Sequence, residues 1–346
     1  MTWELYPATT MFSTYAEEWD RLNAQLYDSH PLFDSRFVGP LLDCFGSGNE
    51  KLCICRVNGV IEGALILLPS GAGRWASFSP SQAQISAILV ADASLLKELL
   101  KTLPGIVWVI EFFRIDPRYS PDFSRLKLET KISSHSYTIK IDSGVSFAGY
   151  WNQRSKNLKA NIRRYLNRAR KAGCVSAFSE ITALTEIKVG VYRYGDLESA
   201  GWKGAAGTAI SRENSQGAFY AEVLDRFALT NQAAVCELFI GERLAASRLV
   251  ISNRQMAVVL KTTYDESLAG FAPGRLLLYR MLERHLVHQP EKDIEFYTNA
   301  TPEQIAWSTS GCYVQNIQIF RSKFIAAAFV FLKEITELLR SKVRTP

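Results

Sequence analysis

The stretch Lys261–Leu286, KTTYDESLAGFAPGRLLLYRMLERHL, decides the fold. It opens as a strand, breaks at Gly270 and Pro273-Gly274, and resumes as a helix with Leu278, Leu282 and Leu286 on one stripe. A helix begun this way directs several unpaired backbone N–H groups at one spot. With the helix dipole they favour an anion, above all a phosphate or diphosphate. The expected donors are Gly274, Arg275 and Leu276. Pro273 sets φ, Gly274 leaves room for a ligand, and Arg275 adds charge. An ordinary strand–turn–helix junction has the same local pattern, so the surroundings must decide between the two.

Upstream, AAVCELFI, a turn at Gly241-Glu242 and RLAASRLVIS form a hairpin, and QMAVVLKTTY supplies a third strand; downstream, DIEFYT is a buried strand. The first half of the chain has the same order. KLCICRV, the turn Asn58-Gly59 and VIEGALILL form a hairpin, RWASFS follows, then the helix ASLLKELLKTL and the buried strand IVWVIEFF. Gly59 and Ala64 recur as Gly241 and Ala246, 182 residues on, and IEFF at Ile110–Phe113 recurs as IEFY, 184 residues on. An internal duplication follows. The expected class is α/β (α+β): two duplicated lobes, residues 1–143 and 144–346, each a mixed, mostly antiparallel sheet flanked by helices.

Between the copies, residues 143–179 hold eight basic side chains and no acidic one. In YWNQRSKNLKANIRRYLNRARKAG the residues Leu158, Ile162, Leu166 and Ala169 recur at helical spacing, so one face packs and Arg163 and Arg164 lie on a cationic face. That face is either a solvated cover or a site for an anionic partner. The whole chain of 346 residues carries a net charge of +6, 47% hydrophobic residues and 21% charged ones, the balance of a globular protein with a mild preference for anions. No apolar run reaches bilayer length and the N-terminus lacks a signal-peptide pattern, so a cytoplasmic protein is expected, with six reduced and mostly buried cysteines. His285 and His288 lack further ligands at metal spacing and read as cationic residues at a helix C-terminus; no metal is called for. The terminal RSKFIAAAFVFLKEITELLRSKVR reads as an amphipathic helix, packed on the second lobe or lying on a membrane surface.

KTTYDESLAGFAPGRLLL resembles the K-x-x-Y-D-E…S-P-G-x-L-L segment of bacterial GNAT-type acyltransferases associated with cellulose and other exopolysaccharide synthesis. ESAGWKGAAGTAI is similar to that family's S-W-K-G-x-x-G-T-A-I segment, FYAEVL follows in place, and NIRRYLNRARKAG matches its Arg-rich helix. The chain departs from the family at Gly201 and Ala272, each in place of Ser, and at Gln304 in EQIAW, where a lysine is usual.

The resemblance implies tandem GNAT-like lobes, an architecture shared with Fem-type aminoacyltransferases. It also implies transfer from acetyl-CoA or another acyl-CoA to a small-molecule or glycan acceptor. Lys261, Pro273, Gly274, Arg275 and Leu276 then fall at the cofactor, and Trp202, Arg163, Arg164 and Asn299 at the acceptor. A backbone N–H around Lys261–Tyr264 serves the oxyanion, Tyr264 protonates the thiolate, Asp265 or Glu266 is the base, and Lys203 positions the substrate. The first lobe has no Pro-Gly-Arg counterpart in SPSQAQISAILVADASLL and is expected to be structural or to shape the acceptor cleft. Two other readings stand beside this one. In a Fem-like enzyme the cationic helix meets tRNA; in a scaffold subunit of a glycan-synthesis complex, peripheral at the inner membrane, no turnover occurs.

Overall fold

A computed structural model describes residues 1–329 and 331, apart from 175, 202, 203, 205, 206 and 208. The strands are β1 Thr2–Pro7, β2 Lys51–Val57, β3 Val60–Gly71, β4 Arg74–Ser77, β5 Leu89–Val90, β6 Val109–Ile115, β7 Glu129–Ile141, β8 Ser176–Ile181, β9 Ala233–Ile240, β10 Arg243–Ser252, β11 Met256–Tyr264, β12 Asp293–Phe296 and β13 Ser310–Phe320. The helices used below are α1 Ala16–Tyr27, α2 Ser35–Phe45, α3 Leu96–Thr102, α4 Lys156–Lys171, α5 Leu184–Ser199, α6 Ser215–Ala228, α7 Pro273–His288 and α8 Pro302–Ile305. None of the described helices is long and apolar enough to cross a membrane.

The chain forms two compact units, and their boundary is not a single cut after residue 143. Among the described residues, one unit takes 1–27, 46–135 and those from 313 on; the other takes 28–45 and those within 136–312. The reason is an exchange of strands. β7 leaves the first unit and pairs through Ile139–Ile141 with β12, whereas β13 leaves the second and pairs through Gln315–Phe320 with β6. Each sheet is thus completed by chain arriving from the other unit.

The expected repeat is visible in the pairing. Within the first unit the strand order is β1-β2-β3-β4-β6-β13, and within the second it is β8-β9-β10-β11-β12-β7. In both, the first three pairings are antiparallel, the fourth is parallel and the fifth antiparallel. Both hairpins carry a bulge at the same place, with Glu62 and Ala245 as the extra residues. Matching the bulges corrects the first hairpin's alignment by one residue: Asn58 corresponds to Gly241, Cys53 to Cys236, and Leu65 to Arg248. The IEFF–IEFY match needs no correction, since Glu111 and Glu295 hold equivalent registers.

In the first unit, α3 lays Leu96, Leu99 and Leu100 on Cys53, Cys55, Leu65 and Leu67. In the second, α4 and α7 cover the face presenting Cys236, Leu238 and Val250. α4 begins at a Ser155 cap and ends where Gly173, at φ 68°, permits the left-handed stop. Its buried stripe is Leu158, Ile162, Tyr165 and Ala169, so Tyr165 takes the place expected of Leu166. No disulfide forms among the described cysteines: Cys53, Cys55 and Cys236 are buried, and Cys44, Cys174 and Cys312 are half-buried. His285 is not a cationic cap, because burial lowers its pKa; its Nε2 lies 3.0 Å from the Lys292 carbonyl oxygen. Of the C-terminal helix, residues 323–329 and 331 are described, and Ala326 and Phe329 pack on Val109 and Phe320.

Candidate active site

A cavity of about 450 Å³ opens at the start of α7. Its wall includes Tyr165 of α4, Arg248 of β10, Thr262 and Tyr264 of β11, Gly274 and Arg275 of α7, and Glu303 and Trp307 at α8. The site therefore lies within the second unit.

The helix start is less bare than the sequence implies. Ala272 adopts a left-handed conformation, φ 51° and ψ 55°, which brings its carbonyl over the first turn. That oxygen accepts from the Arg275 amide at 3.0 Å and the Leu276 amide at 3.1 Å. Pro273 has no N–H, so Gly274 keeps the expected free amide, and Leu276 is buried core rather than cavity wall. A Cβ on Gly274 would meet Tyr264 Cδ1 at 3.6 Å, an ordinary contact, so glycine leaves room here without being required by the backbone.

Arg275 is held by neighbours. Its Nη2 donates to Glu303 Oε2 at 2.6 Å, its Nε to Glu303 Oε1, and its Nη1 to the Tyr165 hydroxyl at 2.5 Å. Gln304 joins Thr301 in a capping box that fixes α8, and the indole of Trp307 is buried with its carbonyl accepting from Tyr150. The EQIAW segment thus contributes Glu303, Gln304 and Trp307 to the wall.

The strands flanking α7 separate as a splayed site requires. β11 and β12 pair over only Met256–Val258 and Asp293–Glu295, after which β11 continues to Tyr264. Thr262 and Tyr264 face the cavity. Lys261, one residue before Thr262 and so out of phase with both in strand alternation, points to the opposite face, where its ammonium lies 5.6 Å from the Tyr220 ring centroid.

Other expected site residues lie elsewhere. Asp265 caps the turn after β11, accepting from the Ser267 amide at 2.9 Å, its hydroxyl at 2.6 Å and Arg243 Nη2 at 2.6 Å. Burial pushes the Asp265 pKa up, but the Ser267 hydrogen bonds and the Arg243 charge outweigh it and hold the carboxyl below its ordinary value. A carboxylate so engaged is a weak base, which corrects its expected catalytic role. Glu266 is exposed beside Gly201, Asn299 is exposed and accepts from the Tyr137 amide at 3.3 Å, and Arg163 and Arg164 line a separate groove on α4 with Arg168 and Lys171. Trp202 and Lys203 lie outside the described residues.

Two charged wall residues escaped the sequence reading. Glu303 gave no signal beyond its place beside Gln304. Arg248 is 7% exposed, and burial pulls its pKa down to about 10. The signal for Arg248 was a lone charge inside an otherwise small and apolar strand, RLAASRLVIS.

Residues 156–303 match the acetyltransferase (GNAT) domain family. That segment holds α4, both strands of the second hairpin, β11, α7 and most of the cavity wall. The chain is thus an acyltransferase, and this segment of it matches a GNAT acetyltransferase domain. Among solved structures the chain is similar to FemX (11% identity, TM-score 0.58, covering 88% of this chain and 96% of that one). It is also similar to a conserved protein of unknown function from Bacteroides thetaiotaomicron VPI-5482 (11%, 0.56, covering 92% and 100%). A third is the C-terminal domain of a putative lysylphosphatidylglycerol synthetase from Agrobacterium fabrum (12%, 0.56, covering 94% and 96%). These likenesses are of fold. No curated protein sequence matches the chain.

Proposed function

We propose that the protein transfers an acyl group from a coenzyme A thioester, and that the second unit both holds the donor and performs the transfer. The observation that carries this reading is the cavity at the start of α7, bordered by Gly274, Tyr264 and Arg275 inside the matched segment. In this reading the Gly274 amide and the α7 dipole receive the diphosphate. Arg275 joins them by exchanging Glu303 for the ligand, and the released Glu303 carboxylate takes the proton of the attacking acceptor. The acceptor's nitrogen or oxygen bonds to the thioester carbon, and the carbon–sulfur bond breaks. Tyr264 protonates the departing thiolate. An alternate N–H of β11, on the edge where pairing with β12 has stopped, supports the oxyanion.

The acceptor is a sugar, a glycan precursor or an amine. The resemblance to exopolysaccharide-associated enzymes supports a glycan, and a place in the cytoplasm or at the inner membrane beside a polysaccharide-synthesis complex. Isothermal titration with acetyl-CoA tests the reading. Saturable binding is expected, weakened roughly ten- to a hundredfold in Gly274→Asp, which sets a carboxylate against the diphosphate. Undetectable heat at millimolar ligand, or indifference to that substitution, would contradict it.

One observation supports a second reading, transfer of an aminoacyl group from tRNA: the exposed groove of Arg163, Arg164, Arg168 and Lys171 on α4. Binding to RNA would then fall steeply with salt and with charge reversal at Arg163 and Arg164.

A further inference from the structure

Arg248 sits in the middle of β10, opposite Cys236 on one side and Thr262 on the other. Its Nε and Nη1 are buried and meet no hydrogen-bond acceptor among the described residues. The ring of Phe296, 5.7 Å from the guanidinium carbon to its centroid, is partial compensation. Other buried charges in the fold are treated differently. Glu237, the next residue to Cys236, accepts two hydrogen bonds from Arg193 at 2.9 Å, and Glu111 accepts from Arg74 and Gln318. A buried cation without a counter-charge is costly, and this one faces a cavity rather than close-packed core.

The charges on the cavity wall define what would complete it. Arg275 and Glu303 neutralise each other, which leaves Arg248 as the uncompensated charge among the described lining residues. A single buried guanidinium, flanked by the hydroxyl-bearing Thr262 and Tyr264, suits one negative charge with oxygen acceptors. The diphosphate assigned above is more highly charged and has its own donors on α7.

We propose that Arg248 is the receptor for a carboxylate, so that the substrate entering this cavity is a monocarboxylate-bearing one. The carboxylate comes from either of two sources, the far end of a dicarboxylic acyl group on the thioester or the acceptor. The proposal rests on the acyltransferase reading for the identity of those sources, but not for the chemistry of the receptor.

The test compares the wild-type chain with Arg248→Met and Arg248→Lys. Free coenzyme A, acetyl-CoA and succinyl-CoA are titrated calorimetrically, and glucuronate is compared with glucose on the coenzyme A-loaded protein. A wild-type preference of about tenfold or more for succinyl-CoA over acetyl-CoA locates the carboxylate on the acyl group; the same preference for glucuronate locates it on the acceptor. In either case Arg248→Met erases the preference and Arg248→Lys restores part of it. Arg248→Met is also expected to melt at or above the wild-type temperature, because it removes an uncompensated buried charge. The proposal is overturned if neither comparison shows a carboxylate preference, or if the preference survives in Arg248→Met. It is equally overturned if free coenzyme A loses as much affinity as the carboxylates, or if the melting temperature drops sharply. Should the wild type bind no coenzyme A, the acyltransferase reading fails separately. Succinate and glutarate alone then decide the receptor, by raising the wild-type melting temperature and not that of Arg248→Met.

Discussion

The two sheets repeat each other strand for strand, yet one slot is filled in opposite ways. In the first, Leu65 of β3 stands opposite Cys53, 1% exposed and sealed under α3 by Leu96, Leu99 and Leu100. In the second, Arg248 of β10 stands opposite Cys236, also buried in the sheet but facing a cavity. The helix that covers the slot differs accordingly. α3 has 7 residues and an apolar underside, whereas α7 has 16 and starts from a left-handed Ala272 and Pro273-Gly274. One copy of the repeat has become core, and the other has kept a space with a charge in its wall.

Exchanging the slot residues should give the largest effect. Leu65→Arg would bury an unpaired cation among the apolar side chains of α3, and should cost the first unit about 3–5 kcal/mol by urea denaturation. A cost below 1 kcal/mol would mean the first copy can also open at this position. Gly274→Asp comes next, with its roughly ten- to hundredfold loss of coenzyme A affinity. The 3.6 Å clearance to Tyr264 predicts that the melting temperature hardly moves, so binding and folding separate cleanly.

Glu303→Gln should divide binding from chemistry. Removing the carboxylate that holds Arg275 should tighten coenzyme A by up to about fivefold, the scale of an exposed ion pair, while kcat falls because the proton acceptor is gone. Unchanged kcat would return the base to another residue. Asp265 tests the turn that leads into α7. Its folded pKa is depressed, so the stability it adds is present above the unfolded carboxyl pKa of about 3.9 and is lost as pH falls through the folded value. Asp265→Asn should therefore cost about 1 kcal/mol at neutral pH, and the gap from wild type should close in acid. The smallest effect belongs to Ala272→Gly, which relieves a left-handed alanine and should stabilise the chain by about 1 kcal/mol. No gain, measured by thermal melting, would show that the loop is held without strain.

Much of the fold was legible because the signals are local. Asn58-Gly59 and Gly241 set the turns with positive φ, and Gly173 ends α4 the same way. The helix after Pro273 and the buried IEFF and IEFY strands followed from periodicity. The strand exchange was not legible, since nothing within β7 or β13 states which of two similar sheet edges it will join. The one-residue error in aligning the hairpins came from scoring Gly59 against Gly241; only the bulges at Glu62 and Ala245 fix that register.

The candidate site was legible in outline. Pro273, Gly274, Arg275 and Tyr264 do meet at a cavity, but the number of free amides depended on the Ala272 carbonyl, whose direction is set by a backbone angle no residue type announces. Asp265 looked catalytic from its place beside Tyr264, because an acidic residue that caps a turn and one that takes a proton share the same letter. Lys261 fell on the wrong face through simple alternation. Arg248 passed unread because a charge within a strand ordinarily reaches solvent along its own stem, and here it does not.

The most direct test of the whole account is a crystal structure of the protein with coenzyme A. A diphosphate oxygen is expected within hydrogen-bonding distance of the Gly274 amide, with Arg275 turned from Glu303 toward the ligand. A diphosphate bound away from α7, or an Arg275–Glu303 pair unchanged at saturating ligand, would contradict it.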